Sequence, residues 1–464
     1  MSHEPSCDVV IVGAGITGLT AAYEIARRGL RPLVLEAAPR AGGLIVTDHV
    51  EGFTIEAGPD SVLTTKPAAI ALARELGLDT EIQHVRPPGG AFVLRGRTLH
   101  PLPRPSILGI PQRWFGLARY TLLPPAARVR LALEPLIPAR RDSQDESVGS
   151  FFRRRFGRAS VDLIAQPLLG GIHAGDIDTL SMQSLFPKLL ALERAHGSVL
   201  RAPAVSAATA VSPFVSLRGG MATLVDALER RLGTATILSN CRVDAIERVA
   251  GGWRAGPAEA RGLILAVPAH AAASLLAPID AEAAGLCAQV PYVSTVSVAL
   301  AWPRAAIPHP LTGTGFVVAR RAQSRDRHSA VRITACTWVS SKWEHRAPEG
   351  TALIRVFLGG AHDPGVVALT DEALVALVRA DLSAVLGITE APLLTRVYRW
   401  PSGGAQHIVG HLSRVETIER RLAAHGGLFV AGSGFRSVGI PDCVADARRV
   451  AEEAAAFVEK ERRG

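Results

Sequence analysis

Asp8-Val-Val-Ile-Val12, followed at once by Gly13-Ala14-Gly15-Ile16-Thr17-Gly18, decides the fold. The first run is short, apolar and β-branched, as a buried parallel strand requires. Leu19 to Arg28 reads as a helix stopped by Gly29, and a second apolar strand, Pro32-Leu-Val-Leu35, ends in Glu36. The three glycines play different parts. Gly13 allows a tight turn, Gly15 lets backbone N–H groups approach a pyrophosphate, and Gly18 lets helix and strand pack closely. The start of the helix adds a favourable field for phosphate. Glu36 stands 23 residues after Gly13, placed to accept hydrogen bonds from a ribose hydroxyl. An acid there, rather than an arginine, disfavours a 2′-phosphate. Strand, glycines, helix, strand and acid in this order predict a Rossmann-like dinucleotide site.

The next residues, Glu36-Ala37-Ala-Pro-Arg40-Ala-Gly42-Gly43-Leu44, resemble the E-x-x-x-R-x-G-G extension of the amine-oxidase-like flavoprotein superfamily. That resemblance makes the expected cofactor FAD, with the second glycine turn passing over its flavin end. Position 44 is often basic in the superfamily, and Leu44 removes one phosphate contact. No second complete G-x-G-x-x-G exists, because Gly432-Ser-Gly434 is followed by glycine only at Gly439. Without a nicotinamide site, electrons from the reduced flavin are expected to pass to molecular oxygen or a quinone. Near the other terminus, Gly427–Ala431 reads as a strand leading through that glycine cluster into a long helix reaching about Lys460, with Pro441 suited to its first turn. In the superfamily this helix starts beneath the flavin, where its positive end favours an anionic reduced ring. Gly219–Val267 supplies a third piece of the same domain, including strands at Ala235–Leu238 and Leu263–Val267. The resemblance implies that the backbone at Val243 meets the adenine.

The chain has 464 residues, and at ~150 per domain that suggests about three domain-sized units. With 48% hydrophobic and 20% charged residues it supports a large core and excludes a mostly disordered chain. The net charge of +9 comes almost entirely from arginine, since only Lys66, Lys188, Lys342 and Lys460 are lysines. Five scattered cysteines without a C-x-x-C pair argue against a disulfide framework or zinc site and fit a reducing, cytoplasmic setting. No signal peptide is expected at the N-terminus. Gly262–Ile279 carries no formal charge over 18 residues, but Pro268 and His270 break it. A strand turning into an Ala-rich helix explains it better than a membrane span.

The fold class expected is α/β plus α+β. A discontinuous Rossmann-like FAD domain takes residues 1–90, 215–278 and 408–464. Residues 279–407 form an α+β substrate domain, with strands at Val293–Trp302, Gly315–Ala319, Ile333–Val339 and Ala352–Leu358 and a helix at Asp371–Leu386. Residues 91–214 form a helical lobe, with helices at Trp114–Leu123 and Ala126–Leu133. Between Arg95 and Arg158 there are 13 arginines and four acids. Leu, Trp and Phe interleaved with Arg suit peripheral contact with an anionic membrane surface at the inner face of the cell membrane. A solvated basic face explains the same composition. Nucleic acid is not an expected partner, because no nucleic-acid module accompanies the charge.

Further motifs narrow the reading. They are Gly58-Pro59-Asp60-Ser61 before Lys66, Leu99-His-Pro-Leu-Pro, Phe151-Phe-Arg-Arg-Arg-Phe-Gly, Gly171-Ile-His173-Ala-Gly175-Asp176, Ala347-Pro-Glu-Gly350 and Val438-Gly439-Ile440-Pro-Asp-Cys443. Together they resemble the oxygen-dependent protoporphyrinogen/coproporphyrinogen oxidases of haem synthesis, in order and wording most like the bacterial coproporphyrinogen III oxidase branch of Gram-positive organisms. The resemblance spans nearly the whole chain. It implies six-electron oxidation of a porphyrinogen, with O2 reoxidising the flavin and yielding H2O2, and contact with other haem-pathway enzymes. It also implies FAD contacts from Glu36, Ala37, Gly58–Ser61, Val243, Trp400 and Val438–Ile440, beside the glycine loop, Arg40, Gly43 and Leu44. Lys66 and His173 are the candidate substrate residues, Lys66 for a propionate. His173 stands where the family often has tyrosine, and Ala405-Gln406-His407 replaces the usual Pro-Gln-Tyr. His407 and His411 lie four apart without a third ligand, so no metal site is expected. No residue stands out as a catalytic acid or base. Protoporphyrinogen IX is the alternative substrate. An amine or carotenoid-precursor oxidase and a non-enzymatic flavoprotein are the more distant readings.

Overall fold

A computed structural model describes residues 7–112, 114–203, 213–233, 236–319, 331–436 and 438–463. A five-stranded sheet lies at its base, in the spatial order Ile237–Leu238, Pro32–Leu35, Val9–Val12, Gly262–Leu265, Leu428–Val430. Every pairing in it is parallel, with Val9 between Pro32 and Gly262. The chain therefore leaves Val12 with its neighbours on opposite sides, which opens a crevice at the carboxyl ends of the strands. Ala235, expected in the edge strand, lies outside the described residues.

The first helix runs from Ile16 to Arg27 and the last from Ile440 to Arg463. Ile16, Leu19, Ala22 and Ile25 share one core with Val444, Ala447, Val450, Ala451 and Ala454. The alanines Ala22, Ala447, Ala451 and Ala454 in this core are small enough for the two helices to pack, so these two segments close one domain.

A seven-stranded mixed sheet faces this domain, ordered Leu394–Ala405, Tyr292–Pro303, Thr351–Gly359, Ala335–Trp338, Gly315–Val318, Ala91–Arg95, Thr98–Pro101. The last two strands, grouped with the helical lobe in the sequence reading, belong to this sheet through the parallel pairing of Gly315–Val318 with Ala91–Arg95. The sheet explains why: Val93 and Leu94 are buried on its two faces, so their alternation serves a sheet rather than a helix. A register shift between Val293 and Thr295 leaves Thr295 opposite Trp400, and such bulges re-aim side chains. The helix Asp371–Leu386 has the expected bounds and is capped by Thr370.

In the helical lobe the expected helix at Trp114 ends at Ala118, and the next spans Pro125–Ala132. Val148–Phe156 is followed by a ten-residue π-helical stretch, Val161–Gly170. Arg95, Arg104, Arg128 and Arg130 donate to backbone carbonyls, and Arg140, Arg153, Arg154 and Arg155 pair with acids. Much of the expected basic charge is thus engaged by the lobe's own carbonyls and carboxylates. At its centre, fully buried Arg155 donates through Nε to Glu134 at 2.7 Å. Glu134 also accepts from Ser198 and from the amides of Val199 and Leu200. Glu134→Ala, leaving the buried Arg155 with Glu193 as its one remaining acid among the described residues and taking an acceptor from Ser198 and the amides of Val199 and Leu200, is expected to cost about 3–5 kcal/mol. Urea denaturation checks this; a loss below about 1 kcal/mol would show the network to be dispensable.

Candidate active site

The crevice is built from backbone. Gly13 has φ of +102°, and a Cβ there would lie 2.7 Å from the Ala266 carbonyl oxygen; at Gly18 a Cβ would lie 1.9 Å from that of Gly13. At Gly15 nothing lies within 4 Å of such an atom, and no side chain caps the helix that begins at Ile16 and includes Thr17. An uncapped, positively polarised helix start opening on free space is a site for an anion. Glu36 lies under this turn and accepts the Ala14 amide at 2.7 Å and the Ala38 amide at 2.8 Å. A carboxylate has about four acceptor positions, so two remain for a ribose. Asn240 and Cys241 donate to the carbonyls of Ala38 and Glu36. These bonds bring the irregular segment with half-exposed Val243 beside Glu36 and exposed Ala37.

The second glycine turn folds back onto the first. The Gly42 amide donates to Ala14 at 2.8 Å, and a Cβ on Gly43 would sit 3.3 Å from the Gly15 Cα. Arg40 braces this turn by donating to the carbonyls of Ala41 and Gly43 at 2.9 and 2.8 Å. Leu44 is 43% exposed. Its carbonyl oxygen lies 1.8 Å from where a Cβ on Gly58 would be, so only glycine lets the Gly58–Ser61 turn come this close.

Three groups hold that turn from the opposite sheet. The Ala57 carbonyl accepts from Arg355 at 2.8 Å, Trp400 Nε1 at 2.9 Å and Ser297 Oγ at 3.2 Å. Beyond Pro59, Asp60 meets Lys342 Nζ at 2.7 Å and Ser61 Oγ at 2.7 Å. Burial opposes ionisation of Asp60, but Lys342, Arg355 and the Ser61 hydroxyl outweigh it and hold the carboxyl well below the usual range. The Asp60 side chain is thus engaged with Lys342. Glu56 accepts from Arg346 at 3.1 Å and from the Met221 amide at 2.9 Å.

Val438, Gly439 and Ile440 lead into the last helix, and Asp442 in its first turn pairs with Lys66 Nζ at 2.6 Å. His173 ends a short turn after the π-helical stretch, its ring edge-on to Phe186 at 5.6 Å. Burial lowers its pKa to about 3, and His407 and Lys66 nearby add to the effect. The structure therefore gathers Lys66, His173 and the 438–440 segment at one end of the crevice, with Glu36 and Val243 at the other.

Lys342, Arg355, Ser297, Gln406, His407, His411 and Asp442 were not singled out as site residues by sequence reasoning. The scarcity of lysine was a signal for Lys342; Arg355, Ser297, Gln406 and Asp442 reach the site through pairings across more than two hundred residues, and His407 and His411 through carbonyls 26 and 24 residues away. Among the described residues no group of three or more His, Cys, Asp or Glu could hold a metal ion, no cysteine forms a disulfide, and no helix is long and apolar enough to cross a membrane.

Comparison with known proteins places these features. Residues 16–455 match the family described as flavin containing amine oxidoreductase. The chain is 35% identical to the Bacillus subtilis protein named coproporphyrinogen III oxidase, over 97% of this chain and 98% of that one. It is 29% identical to the chloroplastic protoporphyrinogen oxidase of Nicotiana tabacum, covering 98% of this chain and 86% of that one. A crystal structure from Exiguobacterium sp. 255-15, named as a protoporphyrinogen oxidase, superposes with a TM-score of 0.86 at 33% identity, covering 97% and 99% of the two chains. The uncapped helix start, the glycine-lined crevice and the acceptor at Glu36 fit a flavin nucleotide.

Burial also lowers His407 to about 4 and His411 to about 3. With His173 they give a pH dependence of stability. In the folded protein all three sit below the ordinary histidine value of ~6.5, so the unfolded chain takes up protons first as pH falls. Stability is full above about 6.5 and declines towards pH 4, by ~1.4 kcal/mol per pH unit for each histidine. His173→Gln should flatten the fall of the thermal midpoint over this range, because among the described residues no side chain hydrogen-bonds this imidazole. Parallel curves for the two proteins would contradict the assignment.

Proposed function

The chain belongs to the flavin-containing amine oxidoreductase family, and on that premise we propose that it oxidises coproporphyrinogen III to coproporphyrin III, with FAD as cofactor and O2 as acceptor. The observation that carries this reading is the full-length 35% identity to a protein of that name, together with a crevice shaped for a flavin nucleotide. FAD rather than a mononucleotide is supported by the length of the site, which runs from Glu36 and Val243 past two glycine turns to Val438–Ile440. Protoporphyrinogen IX is the second reading, favoured by the tobacco relative.

When bound, the flavin supplies a two-electron acceptor for hydride from a meso carbon, and its reoxidation by O2 releases H2O2. Three such rounds remove six electrons and six hydrogens. The meso CH2 of a porphyrinogen lies between two electron-rich pyrroles, so the cation left by hydride loss is delocalised. Loss of a pyrrole N–H proton then restores neutrality. This chemistry asks the protein for position more than for a strong base. His173 and His407, near Lys66 and Asp442 and held neutral, agree with that demand.

Lys66 is the candidate partner for a propionate. It is 40% exposed and held by Asp442, so an incoming carboxylate exchanges one acceptor for another. Peripheral contact of residues 91–214 with an anionic membrane belongs to the same proposal. Its support is the exposed apolar residues Val129, Leu133 and Leu136, with exposed Phe115 on the preceding helix.

The purified yellow protein should convert colourless coproporphyrinogen III into fluorescent coproporphyrin III under air, faster than protoporphyrinogen IX. No gain over autoxidation with FAD bound rejects the function, and a faster reaction with protoporphyrinogen IX selects the other substrate. Lys66→Met should raise KM for coproporphyrinogen III about tenfold, consistent with one lost charge-assisted hydrogen bond, while leaving kcat within about threefold. An unchanged KM removes Lys66 from substrate binding.

A further inference from the structure

Two buried histidines are left without a role by this chemistry. The rings of His407 and His411 stack at 3.8 Å with an interplanar angle of 14°, and they are 1% and 0% exposed. His407 Nε2 lies 2.9 Å from the Ser433 carbonyl oxygen, and His411 Nε2 lies 2.6 Å from that of Phe435. A carbonyl only accepts, so each ring carries its proton on Nε2 and donates. His407 Nδ1 then accepts from Ser184 Oγ at 2.7 Å, whereas His411 Nδ1 has no hydrogen-bond partner among the described residues. A second proton on either ring would place a cation at stacking distance from the other ring in a buried layer. Arg414 adds repulsion at His411, and Asp442 is the nearby acid that favours charge on His407. Both rings therefore act as neutral donors.

What they hold is the Gly432–Arg436 turn that precedes the last helix. Gly432 has φ of +112°, and a Cβ on it would lie 3.4 Å from Thr17 Oγ1, so the turn abuts the first glycine loop. Its amide is bound by Asp446 at 3.0 Å. In a trans peptide the C=O and the following N–H point in opposite directions. Drawing the Ser433 and Phe435 carbonyls to the histidines turns the amides of Gly434 and Arg436 away from them, and neither amide donates a hydrogen bond among the described residues. The layer also reaches the substrate side: Gln406 Nε2 donates to the His173 carbonyl at 2.9 Å, and the Ser181 amide donates to that of His407 at 2.8 Å.

We propose that His407 and His411 are positioning residues for the cofactor: two stacked Nε2–H donors that fix the peptide planes of the 432–436 turn against the glycine loop and keep that turn in step with the His173 turn. The proposal rests on the FAD reading above and adds to it residues that touch neither cofactor nor substrate.

The test compares wild type with His411→Phe, which keeps a flat ring but lacks the donor, and His411→Gln, whose amide nitrogen reaches the Nε2 position. FAD affinity is measured by equilibrium dialysis and the bound flavin by its visible absorption spectrum, with urea denaturation as the control for folding. His411→Phe should bind FAD at least tenfold more weakly and shift the flavin bands, while His411→Gln stays within about threefold of wild type with an unshifted spectrum. Should His411→Phe not accumulate, His407→Phe and His407→Gln make the same comparison on the adjoining ring. FAD affinity and spectrum unchanged in the Phe variant overturn the proposal, and so do equal losses in Phe and Gln variants of equal urea stability. Wild type that binds no FAD overturns the cofactor reading itself, a result distinct from any difference between variants.

Discussion

One carbonyl oxygen, that of Ala57, joins the two halves of the molecule. The nucleotide crevice belongs to the parallel sheet and the opposite wall to the seven-stranded sheet, and nothing in either sheet's own pairing sets the distance between them. The Ala57 oxygen accepts from Arg355 and Ser297 on two neighbouring strands and from Trp400 on a third. Arg355 is buried and its other neighbours include Glu56 and Asp60, so moving the turn would strand a charge as well as three donors. Buried charges tolerate this poorly, since loss of one partner costs several kcal/mol. The Gly58 turn is therefore held against Leu44 by a contact too stiff to drift. The gap between the sheets, and hence the room for a flat ring system, follows from it.

Local physics explains which parts of this were legible in the residues themselves. Val9–Val12, the helix after it and Pro32–Leu35 announce themselves because a buried parallel strand, a glycine turn and an amphipathic helix each have a short-range pattern. Asp371–Leu386 was equally plain, with Thr370 and Gly387 at its ends. The site was legible where backbone makes it: Gly13, Gly18 and Gly58 each stand where a Cβ would collide with a carbonyl oxygen. It was illegible where side chains reach across the fold. Lys342 meets Asp60 over 282 residues and Arg346 meets Glu56 over 290, and no local spacing encodes such a pair. Ala91–Arg95 went to the helical lobe in the sequence reading because its parallel partner lies more than two hundred residues away.

The arginine excess teaches a related lesson. Composition between residues 95 and 158 reads as a basic surface, yet Arg128 and Arg130 finish the backbone of neighbouring segments and Arg155 is a buried hub for Glu134 and Glu193. Guanidinium suits this use: five donors in a rigid plane can satisfy several carbonyl groups where a chain turns often and has few strands to absorb them. Charge counts therefore measured the number of loop carbonyls in the lobe as much as any outward field.

The electrostatics of the crevice can be argued the same way. An enzyme that depends on a strong general base keeps a group poised near the working pH. Here burial drives His173, His407 and His411 below that range, and Lys342 and Arg355 hold the Asp60 carboxyl below it as well. The result is a site whose titratable groups are fixed in one state across ordinary pH: neutral rings on one side, a paired carboxylate on the other. Such a site holds its hydrogen-bond geometry constant through successive rounds of electron removal, since no group changes charge between them. For a reaction that abstracts hydride three times from one macrocycle, constancy of geometry matters more than any single proton transfer, and the stacked histidines behind the 432–436 turn belong to that constancy.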